Sequence, residues 1–512
     1  MSTQLTNPEA FAVYQDPLEQ PAADHVPKFF WVIGLTITLV PLLLLLPNIQ
    51  LYEAVPLAVL FGLTGQRLIE LMLASDRDLF APDNLITGYF ILYFGLRAAY
   101  VMTIPEAPRL GLFFYDDHLP ASLWCAAFGY LAFLAGYHSG LAGRLWSRLP
   151  QGSLCWPEAV PGARICWLLA VGFAAWLYLF SRGAFVVGAV SEQAGRNFHS
   201  DPIPGLPVLL GSLLDFGWVA TCVSLWQRPL PSNRLTGWLV ALLAIGLILV
   251  RVAFTGGKQF LLEPLVQAII VYNCIRRRLR IRQALLIGLP CAFLAFGALN
   301  VYRFVIIGES GGAPTGFQDV LSRLSYAWDY FTSDRAQNVD QSAFEALMRR
   351  QFGVDALALV MKYTPDKRPF GYGASYLKIP EQALIPRQLW RDKPIYIPTD
   401  DFERDYLGVP PGGFSSMHVI SDLYQNFHLP GVACGFFALG IGFRLFYLCC
   451  APWTANGMRV FVYALLLPGL VHALEGEPVV NCVVYLRTGL LLFLAMKVLG
   501  RGSSQPPEAS PC

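Results

Sequence analysis

Long apolar runs, repeated along nearly the whole chain, constrain this sequence more than any other feature. A helix that crosses a bilayer needs roughly 20 mostly apolar residues, since each rises about 1.5 Å through a hydrocarbon layer about 30 Å thick. Runs of that kind lie at 29–47, 52–73, 85–104, 119–141, 164–181, 206–226, 235–254, 260–275, 284–307, 430–449, 458–475 and 479–498. They predict about twelve spans by hydropathy. The second is the weakest, because Glu53, Gln66, Arg67 and Glu70 interrupt it, and the eighth is short and starts just after Gly256-Gly257. Only 14% of the residues are charged, against roughly 25% in a soluble domain. The expected fold class is an all-α polytopic membrane protein.

Cationic loops set the expected orientation. Arg276, Arg277, Arg278, Arg280 and Arg282 lie between spans eight and nine. Arg144, Arg148 and Arg164 lie between spans four and five, and Arg228 and Arg234 between six and seven. Alternating spans bring all three loops to one side, and short Lys/Arg-rich loops stay cytoplasmic. The chain then divides into a cytoplasmic tail (1–28), a membrane domain of about nine spans (29–307), a large outer insert (308–430), a membrane domain of about three spans (431–499) and a cytoplasmic tail (500–512). The first tail carries Glu9, Asp16, Glu19 and Asp24 and lacks a basic start, which predicts no cleaved signal peptide.

Other features exclude classes. A net charge of +2 argues against a nucleic-acid partner. The cysteines fall mostly in apolar runs and form no CxxC pair, so neither a disulfide framework nor a zinc site is expected. There is no P-loop, Rossmann fingerprint, HExxH or GxSxG, and no cofactor is indicated.

The candidate chemistry gathers on the outer side. The insert has helical apolar spacing over Phe317–Phe331 and Gln341–Tyr363, which predicts amphipathic helices lying over the membrane core or along its interface. The run from Lys378 to Pro394 alternates prolines, cations and aromatic residues, which predicts a stiff irregular loop presenting Arg387, Arg391 and Lys393 beside Trp390. Arg251 and Lys258 flank Gly256-Gly257 at the outer ends of spans seven and eight. Two cations beside an exposed helix N-terminus suit a phosphate. Arg303 lies near the outer end of span nine, and a cation in or beside a span is a functional candidate by default. Arg97, in span three, is expected to pair with a carboxylate such as Glu70. His418, Asp422 and His428 precede span ten, and Arg182, Glu192, Arg196, His199, Asp201, Glu475 and Glu477 also face outward. Asp400, Asp401, Glu403 and Asp405 read as a solvated acidic run rather than a metal site. A basic outer site under a polar cap fits a lipid that carries phosphates.

Two stretches resemble a known family. Ile385-Pro-Arg387-Gln-Leu-Trp390-Arg391-Asp392-Lys393-Pro394, followed by Asp422-Leu-Tyr424-Gln-Asn426-Phe427-His428-Leu-Pro430-Gly431, resembles bacterial O-antigen polymerases of the Wzy type and the wider oligosaccharide repeat-unit polymerases. The family pattern has proline where this chain has Arg391 and glycine where it has His428. The likeness covers about Val250 to Arg444, and the N-terminal half matches only in hydropathy. It implies a GT-C-like glycosyltransferase in the bacterial inner membrane, using neither nucleotide sugar nor metal. Donor and acceptor would be polyprenyl-pyrophosphate-linked glycans, and a chain-length regulator and a flippase would be partners. Arg251, Lys258, Arg303 and Arg387 would grip the pyrophosphate, and Lys393, Trp390, Arg391, Tyr424 and Asn426 would contact substrate. His418, Asp392 and Glu477 are the candidate bases. The rival readings are an O-antigen ligase and a transporter of lipid-linked oligosaccharide. A transporter would tend to show two matching halves with broken helices, and no such symmetry is visible in the sequence.

Overall fold

The computed structural model describes residues 25–45, 49–73, 78–103, 118–149, 162–181, 205–227, 234–255, 259–293, 351–385, 401–408, 417–454, 456–476 and 478–500, with single positions between them at 322, 325, 326, 329, 348 and 390. Every regular element among them is helical. In chain order they are α1 (His25–Leu44), α2 (Leu51–Leu73), α3 (Pro82–Thr103), α4 (Leu119–His138), α5 (Gly162–Ser181), α6 (Leu206–Gln227), α7 (Arg234–Thr255) and α8 (Gln259–Ile275). They continue with α9 (Ile281–Phe293), α10 (Gly353–Tyr363), α11 (Lys378–Leu384), α12 (Val419–Cys450), α13 (Gly457–His472) and α14 (Pro478–Gly500).

Among the described residues nine helices are long and apolar enough to cross a membrane: α2 to α7 and α12 to α14. The chain is thus a multi-pass helical membrane protein. The two shorter apolar helices, Val32–Leu44 and Gln259–Ile275, coincide with the first and eighth expected spans. The ninth, 284–307, is described only as far as Phe293, within α9. The second expected span is among the nine despite its charges; Arg67 is met by Glu70 at 3.0 Å and by Asp83 and Asn84 at the start of α3.

Proline and asparagine mark the helix starts. Pro82 and Pro120 sit in the first turns of α3 and α4, where a missing N–H costs nothing. Asn456 caps α13 by accepting from the Met458 and Arg459 amides. The closest helix pair is α4 with α12. Gly136 and Gly440 let the two backbones touch: a Cβ on Gly136 would strike the Phe437 carbonyl, and one on Gly440 the Phe133 carbonyl. Small residues permit such approaches where no water-driven force holds helices together.

Two apolar cores result. One joins α1 to α4, α10 and α12 as far as Phe443. The other joins α5 to α8, α13, α14 and the last turns of α12. Helix α12 therefore runs through both. Hydrogen bonds show which helix ends share a side. Asp78 accepts from Asn273 at 3.0 Å and Tyr447 at 2.9 Å, and Arg164 donates to the Val498 and Leu499 carbonyls. These groups lie at the end that carries Arg276–Arg282. Arg97, Asp355, His418 and Leu474 lie toward the other end.

Helix α10 takes the first of the two placements expected for the insert, against the helix core. Its Val354, Ala356, Leu357, Ala358 and Val360 are fully buried in the first core. Gly353 rests on Tyr93, within a π-helical stretch of α3 over Ile91–Leu96. Such a wide turn shifts the helical register. Arg97 follows it directly and forms a two-pronged pair with Asp355, at 2.8 and 2.9 Å. The expected Arg97–Glu70 pair is absent, for a geometric reason. Glu70 lies three residues before the end of α2 and Arg97 fifteen residues into α3, so antiparallel helices hold them more than ~15 Å apart at about 1.5 Å per residue. Phe317–Phe331 lies almost wholly outside the described residues.

Candidate functional site

The described part of the insert and the start of α12 line an open-sided cavity of about 150 Å³. Its construction begins with a break in α12. His428 has φ 59° and ψ −155°, and Pro430 follows two residues later. Pro430 has no N–H, so the Asn426 carbonyl loses its helical donor. The insert supplies replacements: the Gly371 amide donates to the Gln425 carbonyl and the Tyr372 amide to the Asn426 carbonyl, each at 3.1 Å. The Gly373 amide donates to the Asn426 side-chain oxygen at 2.9 Å. Gly373 sits at φ 79°, a conformation that a side chain would resist. Kink and insert are thus one unit, and the kink brings the polar face of α12's first turns under the insert.

The Tyr376 hydroxyl donates to Asp422 Oδ2, while the Asn426 amide donates to the Asp422 carbonyl at 2.9 Å and to Oδ1 at 3.3 Å. Asp422 and Gln425 form one wall of the cavity, and Asp401, Phe402, Asp405 and Tyr406 the facing one. Asp422 is only 2% exposed. A carboxylate so buried needs hydrogen bonds or a charge partner, and the phenol and the amide provide the former. Arg404 holds Asp401 at 2.6 Å and Asp405 at 3.0 Å, and Arg368 holds Asp405 at 2.5 Å. Neither arginine lines the cavity. Asp401 is half exposed, as the composition of the run suggests, whereas Asp405 is mostly covered and Glu403 fully buried. Among the described residues no group of acids, histidines and cysteines could hold a metal.

The other expected site residues divide sharply. His418 is buried outside the cavity. Its Nδ1 lies 2.7 Å from the Tyr89 hydroxyl, which also reaches the Leu474 carbonyl at 3.1 Å. Burial pushes its imidazole down to about 4, so it is neutral at pH 7. Tyr424 is buried, packs its ring 4.8 Å from that of His428 and does not line the cavity. Asn426 does line it, but its amide is committed to Gly373 and Asp422. Trp390 is half-buried. Lys258, Arg303, Arg387, Arg391 and Lys393 lie outside the described residues, as do Asp392 and Glu477.

Arg251 is described and differs from its expected role. It is 4% exposed, grips Asp215 at 2.8 and 3.2 Å and stacks over the Phe260 ring at 4.7 Å. A guanidinium held by a carboxylate in this way is already neutralised, so it is not an open phosphate cradle. The sequence signal for Asp215 was a lone acid in an apolar span, antiparallel to the span bearing Arg251. The Tyr376–Asp422 bond has no such signal, since its partners lie in different elements with no shared spacing. Helix α11, which leads into the Ile385–Pro394 run, packs against α14.

A domain of unknown function, DUF8712, matches residues 187–409, short of half the 512-residue chain. The matched stretch includes the Asp401–Tyr406 wall and ends before the Asp422 wall. No curated protein and no solved structure matches the chain.

Proposed function

We propose that this protein polymerises polyprenyl-pyrophosphate-linked oligosaccharide repeat units at the outer face of the bacterial inner membrane. One observation carries the reading: a cavity of carboxylates, amides and aromatic rings, roofed by the insert, at the opposite end of the bundle from the arginine cluster. A polyhydroxyl ligand is met by this kind of wall, with acceptors and donors around its hydroxyls and ring faces beside it. The likeness of Ile385–Pro394 and Asp422–Gly431 to repeat-unit polymerases supports the same reading.

In this mechanism an acceptor sugar hydroxyl attacks the anomeric carbon of the donor. A carbon–oxygen bond forms there as the bond to pyrophosphate breaks, and the polyprenyl pyrophosphate leaves with the electron pair. Asp422 takes the hydroxyl proton on the oxygen that Tyr376 does not occupy. Tyr376 and Asn426 fix the carboxylate, which lowers the cost of orienting it at the moment of reaction. Cations stabilise the leaving group by neutralising its charge. Lys258, Arg303 and Arg387 fill that role in this scheme. Arg251 acts behind them as a structural ion pair.

The test supplies purified protein in lipid with repeat units on polyprenyl pyrophosphate, and no nucleotide, ion gradient or other acceptor. Wild type should yield a ladder of longer lipid-linked glycans. Asp422→Asn should lower its rate by about two to four decades, the usual worth of a positioned base. A product only after a separate lipid acceptor is added would mean a ligase. Substrate moved across the membrane at unchanged length would mean a transporter.

A further inference from the structure

We infer that the cavity between the Asp401–Tyr406 turn and the Asp422–Asn426 turn is the acceptor-sugar subsite, and that it takes a neutral or amino sugar and rejects an anionic one. This rests on the polymerase reading and adds the chemical class of the sugar that attacks. Among the described residues every charged side chain lining the cavity is a carboxylate: Asp401, Asp405 and Asp422. The arginines that balance two of them stand outside, with Arg368 44% and Arg404 58% exposed. A ligand inside therefore meets lone pairs, which hydroxyl and ammonium groups satisfy and a carboxylate does not. Two further groups are available to it. The Ser375 hydroxyl oxygen lines the cavity, is buried and has no hydrogen-bond partner among the described residues. Gln425 adds an amide. A buried hydroxyl without a partner is costly unless a ligand or water completes it.

The volume fits the same conclusion. A cavity of about 150 Å³ admits a ring-sized polar group but no polyprenyl tail. The lipid-bearing end of a substrate must then lie elsewhere, and Asp422 as the proposed base makes this the position of the sugar that presents the attacking hydroxyl. Asp422 is the one carboxylate on the α12 wall, and its neighbours Tyr376 and Asn426 hold it rigidly toward that space.

The test uses the full-length protein in lipid nanodiscs and methyl glycosides of glucose, N-acetylglucosamine, glucosamine and glucuronic acid, followed by saturation-transfer NMR. At least one neutral or amino glycoside should bind saturably, and the glucuronide at least about ten-fold more weakly, a difference of about 1.4 kcal/mol. Gln425→Ala removes a wall amide without touching a hydrogen bond of the kink. Ser375→Trp fills the cavity. Both should cut the bound signal several-fold at an unchanged melting temperature. If Ser375→Trp does not fold, Gln425→Ala alone decides. Glucuronide binding as tight as that of the neutral glycosides would overturn the proposal. So would binding untouched by Gln425→Ala, or a lipid-linked ladder from protein that binds none of the glycosides. Selective glycoside binding with no ladder would leave the cavity a sugar site but sink the polymerase reading and the acceptor role that rests on it.

Discussion

His428 carries the most local strain in the site. Its φ of 59° with ψ of −155° belongs to a region that glycine occupies at little cost and other residues at about 1–3 kcal/mol. It is also the position where the resembled family has glycine. In an ordinary helix alanine is better than glycine by about 1 kcal/mol. Here the order should reverse. His428→Gly and His428→Ala both lose the ring contacts with Tyr424 and Phe370, but only alanine keeps the strain. Thermal unfolding in detergent should place the glycine variant above the alanine variant by about 1 kcal/mol; the usual order would mean that the backbone relaxes there. His418 gives a pH signature. An unfolded histidine takes a proton near about 6.5, and burial lowers the folded group to about 4. Between those values the unfolded chain binds the extra proton. Stability should therefore fall as pH drops from about 6.5 to about 4, level off below, and show no contribution from this group above about 6.5. His418→Gln keeps a partner for Tyr89 without titrating, so its melting temperature should fall less steeply across that window. Parallel curves would show that His418 is solvated.

At the scale of elements, the spans were legible and their couplings were not. Apolar runs report helices directly, because length and hydropathy are local properties; all twelve expected runs contain helix among the described residues. The pairings that couple the elements join Arg97 to Asp355, Arg251 to Asp215 and Tyr376 to Asp422, across separations that no periodicity records. Trp390 and the Arg387 run drew attention by local composition, whereas Asp422 stood out only once the kink at His428 turned it toward the insert. Helix α10 illustrates the limit. Its amphipathic spacing was readable, but its docking depends on the π-helical stretch of α3 and on one buried ion pair. Removing one partner of such a pair leaves a buried charge and costs about 3–5 kcal/mol. Arg97→Met should therefore strip α10 from the core, seen as faster amide exchange over Gly353–Tyr363. Arg97→Met with Asp355→Leu should recover most of that protection, since two apolar groups can replace a buried pair. A double variant as exposed as the single one would mean that the pair directs docking rather than merely neutralising itself.

For the whole molecule, the question is which end of the bundle faces the cytoplasm. Hydrogen bonds that Asp78 accepts from Asn273 and Tyr447 tie three chain segments together at the end that carries the arginine cluster. The cavity and its Tyr376–Asp422 bond lie at the opposite end. Orientation then follows from one bias: short loops rich in Lys and Arg stay on the cytoplasmic side. Arg277 and Lys367 are both exposed, one at each end. Cysteine placed at Lys367 should react with an impermeant maleimide in intact spheroplasts, with the wild-type chain as the background for its own thiols, of which Cys434 and Cys482 are the exposed ones among the described residues. Cysteine placed at Arg277 should react only after permeabilisation. The reverse pattern would turn the cavity toward the cytoplasm, where nucleotide sugars rather than flipped lipid-linked glycans are the available donors. It would also leave the cluster of Arg276–Arg282 on the side where a membrane protein of this length normally carries few cations. The labelling therefore tests the polymerase reading before any substrate is in hand, because only an outward cavity can meet a glycan already carried across on its lipid.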